Sequence, residues 1–128
     1  MMLDPISEKN IAGVHPDLQR LTRQAFILTK QPFLVIEGLR SATRQAALYA
    51  KGLTMNQKNG MHELGMAIDF ACLTNGKIDW TVKLYSGVWQ AFQAASKATG
   101  NPCEWSGNWV HFKEFDHIQL PRGYKPKA

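Results

Sequence analysis

Apolar side chains recur along this chain in two rhythms, and the change from one to the other marks out its elements. Over residues 16–29, Leu18, Leu21, Ala25 and Leu28 return at helical spacing, with Pro16 and Asp17 suited to a first turn. "PFLVIEGLR" follows, a β-branched and aromatic run that predicts a strand ending near Gly38. "SATRQAALYAKG" predicts a short helix with Ser41 or Thr43 as its cap and Gly52 as its stop. Residues 53–61 are polar and read as a loop. "GMAIDFA" predicts a second strand, and Asn75-Gly76 marks a two-residue hairpin. "YSGVWQAFQAASKATG" predicts a longer helix with Val88, Ala91, Phe92, Ala95 and Ala98 on one face and Gly100 past its end. The remainder, "CEWSGNWVHFKEFDHIQLP", reads as short strands joined by a turn and ended by Pro121. Helices mixed with antiparallel-looking strands predict an α+β fold, a small antiparallel sheet flanked by helices.

A chain of 128 residues fits one domain, 1–128, with a real core and no separate binding module. No apolar stretch approaches the roughly 20 residues of a membrane span, so stable membrane insertion is not expected. The N-terminus, "MMLDPISEKN", lacks the basic-then-apolar order of a secretory signal, which places the protein in the cytoplasm of its producer. Cys72 and Cys103 form no CxxC motif and read as two reduced thiols, one of them in the core. The net charge of +5 suits attraction to a polyanion. Its basic residues are dispersed, with only "PRGYKPKA" locally basic, so nucleic acid is not the expected partner.

The candidate chemistry lies in "HELGMAID" and "EFDHIQLP". Asp69 stands in an apolar run, and a buried carboxylate needs a partner. His62 and Asp69 would point to opposite faces of one flat strand, because their separation is odd. Gly65 permits a turn that brings His62 round, with Ala67 and Asp69 on one face and Ile68 and Phe70 on the other. Downstream, His117 and Gln119 alternate with Ile118 and Leu120, and Glu114 precedes His117 by three. Two histidines and a carboxylate with an open position make a catalytic zinc site. A further carboxylate such as Glu114 then serves as the base. The competing readings are a hydrogen-bonded structural His–Asp pair and, for Glu114 and Asp116, solvated turn residues. His111 and Cys72 are further candidate ligands. His15, before Pro16, reads as an exposed residue without a special role.

"HELGMAIDF" resembles the H-x-x-G-x-A-x-D motif of the D-Ala-D-Ala-type zinc metallopeptidases, which share a fold with the Hedgehog signalling domain. "EWSGNWVHFKEFDHIQLP" is similar to that family's second motif, roughly E-W-G-G-D-W followed by an acidic residue, two spacers and a final histidine. "GLRSATRQAALYAKG" resembles a third landmark, an arginine at a strand end followed by Ser or Thr and a helix. Together they cover about residues 30–121, and the pattern is most similar to the L-alanyl-D-glutamate endopeptidases among phage endolysins. Two departures are evident: Gly60 stands where the family often has Ser, and Asn108 where it has Asp.

The resemblance implies Zn2+ held by His62, Asp69 and His117, Glu114 as general base, and Arg40 as the donor to the substrate carbonyl and its developing oxyanion. The substrate implied is the bacterial peptidoglycan stem peptide, cut between L-Ala and D-Glu by a monomer. Such an enzyme waits in the host cytoplasm until lysis admits it to the cell wall. The alternatives are a D-Ala-D-Ala carboxypeptidase or dipeptidase and a non-catalytic, zinc-stabilised binding module. Trp105 and Trp109 are candidates for lining the cleft, with packing expected for at least one.

Overall fold

In a computed structural model the described residues are 3–52, 61–109 and 114–124, with Ala42 and Gln45 described as backbone only. The elements run α1 (Pro5–Ile11), α2 (Pro16–Leu28), β1 (Phe33–Glu37), α3 (Ala42–Ala50), β2 (Ala67–Thr74), β3 (Lys77–Asp79), α4 (Val82–Thr99), β4 (Glu104–Trp105), a 3-10 turn (Ser106–Asn108) and β5 (His117–Gln119). The expected α+β architecture is present as an antiparallel sheet in the order β1-β2-β5-β4, with β3 also paired to β2.

The alternation expected for the central strand decides the layers. Ile68, Phe70 and Cys72 point from β2 into the core, where Phe33, Val35 and Ile118 join them from neighbouring strands. Leu18, Leu21 and Ala25 of α2, and Val88, Phe92 and Ala95 of α4, cover that face. Burying each large apolar side chain contributes about 1.5–3 kcal/mol, so this layer supplies the main driving force. Cys72 lies in this layer and so faces away from Asp69; both cysteines are free thiols. The hairpin forms as read: Thr74 pairs with Lys77, and Asn75 and Gly76 both take positive φ, as a type I′ turn requires.

Three local expectations need amendment. Helix α1 was not anticipated; Asp4 caps it by accepting the Ser7 N–H at 2.8 Å, and it guards the free edge of β1. Ser7 Oγ accepts the Val35 N–H, while Asn10 Nδ2–H donates to the Val35 carbonyl, both at 2.8 Å. His15 is not a bystander: its Nδ1 accepts the Asp17 N–H at 3.0 Å and caps α2. Helix α4 begins three residues earlier than its apolar face suggested, because its first residue, Val82, is exposed and adds nothing to the pattern. Of the two caps offered for α3, Ser41 is the one used, its Oγ accepting the Arg44 N–H.

Candidate metal centre

Sheet register builds the site. Glu37, Asp69 and His117 lie opposite one another across β1, β2 and β5, and Ala67, Gln119 and Glu104 form the next row. Directly paired residues share a face about 4.5–5.5 Å apart, so Asp69 and His117 are delivered to one point by pairing alone. His62 arrives from the turn before β2. Gly65 adopts φ +71° and its N–H bonds the His62 carbonyl, while Met66 N–H bonds the Met61 carbonyl. The Gly65 carbonyl in turn accepts the His15 N–H at 2.8 Å, which ties this turn to the start of α2. The turn expected at Gly65 is therefore the device that brings His62 to Asp69.

Three candidate ligand atoms converge. His62 Nε2 lies 3.2 Å from His117 Nδ1, and each lies 3.1 Å from Asp69 Oδ1. Both rings are nearly buried, at 4% and 7% exposure. Their far nitrogens are committed. His62 Nδ1 is 2.9 Å from the Gly38 carbonyl, which can only accept, so the proton sits on Nδ1 and the Nε2 lone pair faces inward. His117 Nε2 is 2.8 Å from Gln119 Oε1, which likewise leaves the Nδ1 lone pair inward. With both rings neutral, two lone pairs and a carboxylate oxygen face one another and repel unless a metal ion or an added proton lies among them. Ligands about 2.0–2.1 Å from a tetrahedral zinc stand roughly 3.3 Å apart, close to the spacing found here. The donor set thus fits zinc, and outer partners that fix each imidazole are what such sites use.

The charges agree. Burial pushes the Asp69 carboxyl upward, but hydrogen bonds and charge from His117 and His62 outweigh it and hold the group well below the usual carboxylate range. Burial pulls His117 down, yet the hydrogen bond and charge of Asp69 leave it raised.

Around this triangle stand two further predicted residues. Arg40 is buried; its Nε–H donates to Glu37 Oε1 at 2.8 Å and its other arm reaches Asp69 Oδ2 at 3.4 Å. Both contacts are ion pairs made by a guanidinium shielded from solvent. Glu114 Oε2 lies 3.9 Å from His117 Nδ1, near the triangle without belonging to it. Burial, with Asp69 and Asp116 nearby, raises its carboxyl to about 7 although the histidines pull the other way. Neither Glu114 nor Asp116 is a solvated turn residue, since burial raises Asp116 to about 6.

The "EWSGNW" string explains how an irregular segment holds Glu114. Trp105 Nε1–H donates to the Phe115 carbonyl at 2.8 Å, and Ser106 Oγ–H donates to the Glu114 carbonyl at 2.5 Å. Gly107 is obligatory there, because a Cβ would lie 2.2 Å from the Trp105 ring. Trp105 is thus a packing residue, stacked on Trp89, whereas the Trp109 ring lies 5.6 Å from His117. Asn108 is exposed on the 3-10 turn. Gly60 and His111 fall outside the described residues. Ser106, Gln119 and the Gly38 carbonyl were not identified as site residues from the sequence, and only the shared face of His117 and Gln119 hinted at one of them.

Comparison with known proteins identifies the family and the fold. The family described as phage L-alanyl-D-glutamate peptidase matches residues 2–121. An L-alanyl-D-glutamate peptidase of Escherichia phage T5 is 33% identical over 120 residues, 91% of this chain and 87% of that protein. One from Listeria phage A118 is 30% identical over 92 residues, covering 71% of this chain but 31% of that protein. The crystal structure of the Serratia marcescens L-Ala D-Glu endopeptidase ChiX superposes with a TM-score of 0.87 at 34% identity, covering 94% and 90% of the two chains. The vancomycin-resistance D,D-dipeptidase VanXYg shares the fold, with a TM-score of 0.54 at 19% identity over 84% of this chain and 50% of that one. The chain belongs to the phage L-alanyl-D-glutamate peptidase family.

Proposed function

We propose that this chain is a zinc peptidase that cuts the L-alanyl–D-glutamate amide of the peptidoglycan stem peptide. The observation that carries the metal reading is the triangle of His62, Asp69 and His117, whose three donor atoms stand at the spacing of ligands around one ion. A bound zinc supplies a water acidified to a pKa of about 7 and a Lewis acid for the carbonyl. The chain's own groups do the rest. Glu114, raised into the neutral range, accepts the proton of the attacking water and returns it to the leaving amine. Arg40, anchored by Glu37 and Asp69, presents a permanently charged donor to the carbonyl oxygen as it gains charge.

The bond is chosen from the relatives: those of phages T5 and A118 and the Serratia enzyme are all named for L-Ala–D-Glu cleavage. The D,D-dipeptidase likeness, at 19% identity, supports the fold alone. The phage relatives support an enzyme made within the infected host that meets the wall at lysis, and we read it as a monomer acting through this one domain. Digestion of purified peptidoglycan followed by mass spectrometry tests the reading. New D-Glu amino termini, lost on chelation and restored by zinc, are expected. Release of free D-Ala instead would assign the rival carboxypeptidase activity. Zinc binding without any cleavage would leave a binding module.

A further inference from the structure

We propose that Glu104 and Gln119 together act as a positioning pair that fixes which nitrogen of His117 faces the metal site. The inference rests on the zinc reading above and adds two residues to it. His117 Nε2 lies 2.8 Å from Gln119 Oε1, and Gln119 Nε2 lies 3.4 Å from Glu104 Oε1. Cross-strand register makes the chain of contacts possible, since Glu104 pairs with Gln119 and His117 shares the Gln119 face two residues earlier.

The polarity of this chain is set from its outer end. A carboxylate only accepts, so the amide NH2 of Gln119 must turn to Glu104 and its carbonyl to His117. That carbonyl also only accepts, so in the neutral ring the His117 proton is drawn to Nε2 and Nδ1 is left bare beside Asp69. Without the carboxylate, the amide is free to rotate and offer NH2 to His117. The proton would then move to Nδ1, the atom a metal must reach. The same logic already holds at His62 through the Gly38 carbonyl, but there a backbone group sets the direction. At His117 the direction depends on two replaceable side chains, of which Glu104 is exposed and touches no ligand.

Zinc affinity measured by competition with a chromophoric chelator tests the pair without recourse to activity. Q119L keeps the volume and removes the acceptor, and is expected to weaken zinc by about 10- to 100-fold. The exchange E104Q/Q119E restores an acceptor at His117 with a donor behind it, and is expected to recover affinity to within a few-fold. Ring-nitrogen NMR of the metal-free wild type in alkaline buffer supplies a second reading, expected to show His117 protonated at Nε2. Wild-type affinity in Q119L, an exchange variant as weak as Q119L, or a proton on Nδ1 would each overturn the proposal. Absence of zinc binding by the wild type would instead overturn the metal reading on which it stands.

Discussion

Gly38 joins stability to the metal site, and replacing it with Ala tests both at once. An added Cβ would lie 2.0 Å from the Asn10 carbonyl oxygen, whereas real Cβ contacts almost never fall below 3.0 Å. Helix α1 and the end of β1 must therefore separate by about 1 Å. The facing atom is backbone, so no rotamer change relieves the overlap. Moving α1 strains the two hydrogen bonds that Ser7 and Asn10 make to Val35. Moving β1 instead displaces the carbonyl that holds His62 Nδ1. Overpacking costs about 1–3 kcal/mol and each of the two weakened bonds about 0.5–1.5 kcal/mol, which sums to roughly 2–6 kcal/mol. For a domain of this size the melting midpoint should fall by roughly 6–30 °C. If β1 is the part that moves, zinc affinity should drop as well, by up to about 100-fold. Gly87→Ala is the control, since its Cβ meets only Gln31 at 3.4 Å inside α4; it should stabilise by about 0.5–1 kcal/mol. Thermal denaturation with a parallel zinc titration makes the measurement. A G38A protein with wild-type midpoint and wild-type zinc affinity would refute the packing argument.

Other perturbations separate the roles within the site. Glu114→Gln should lower kcat on peptidoglycan by about 10²- to 10⁴-fold while leaving zinc content and melting point unchanged; loss of zinc would mean that Glu114 is a ligand. His15→Ala removes the α2 cap and should cost about 0.5–2 kcal/mol in urea denaturation without changing the cleavage product. The zinc dependence of stability should grow from about pH 6 to about pH 8. His117 is raised in the metal-free fold, so its stabilising contribution is complete below the ordinary imidazole value and is lost as pH climbs through the raised one. Zinc binding displaces the same proton and therefore strengthens over that range. A zinc-induced shift in midpoint that shrinks on going alkaline would contradict this.

Much of the molecule is legible because its signals are local. The α2 and α4 stripes, the Asn75-Gly76 turn and the Gly65 bend each follow from a few adjacent residues. His62, Asp69, His117 and Glu114 emerged from type and spacing, since a carboxylate in the apolar run of β2 demands a counterpart. Arg40 was legible only through the family resemblance, because its burial depends on the β1–β2 register that sets Glu37 beside Asp69. Gln119 and the Gly38 carbonyl act through direction of hydrogen bonding, which no residue pattern encodes. Helix α1 has seven residues, too few for a periodic face, and persists through its Asp4 cap and its grip on β1. His15 hid for a related reason, since an imidazole is an unusual cap and Ser, Thr, Asp or Asn is the expected signal.

Anomalous diffraction at the zinc edge, from crystals of the zinc-loaded protein, tests the central claim most directly. The account predicts one peak among His62 Nε2, Asp69 Oδ1 and His117 Nδ1, about 2.0–2.1 Å from each nitrogen, with Glu114 outside the bonding distance. A peak elsewhere, or one bonded to Glu114 in place of Asp69, would contradict it.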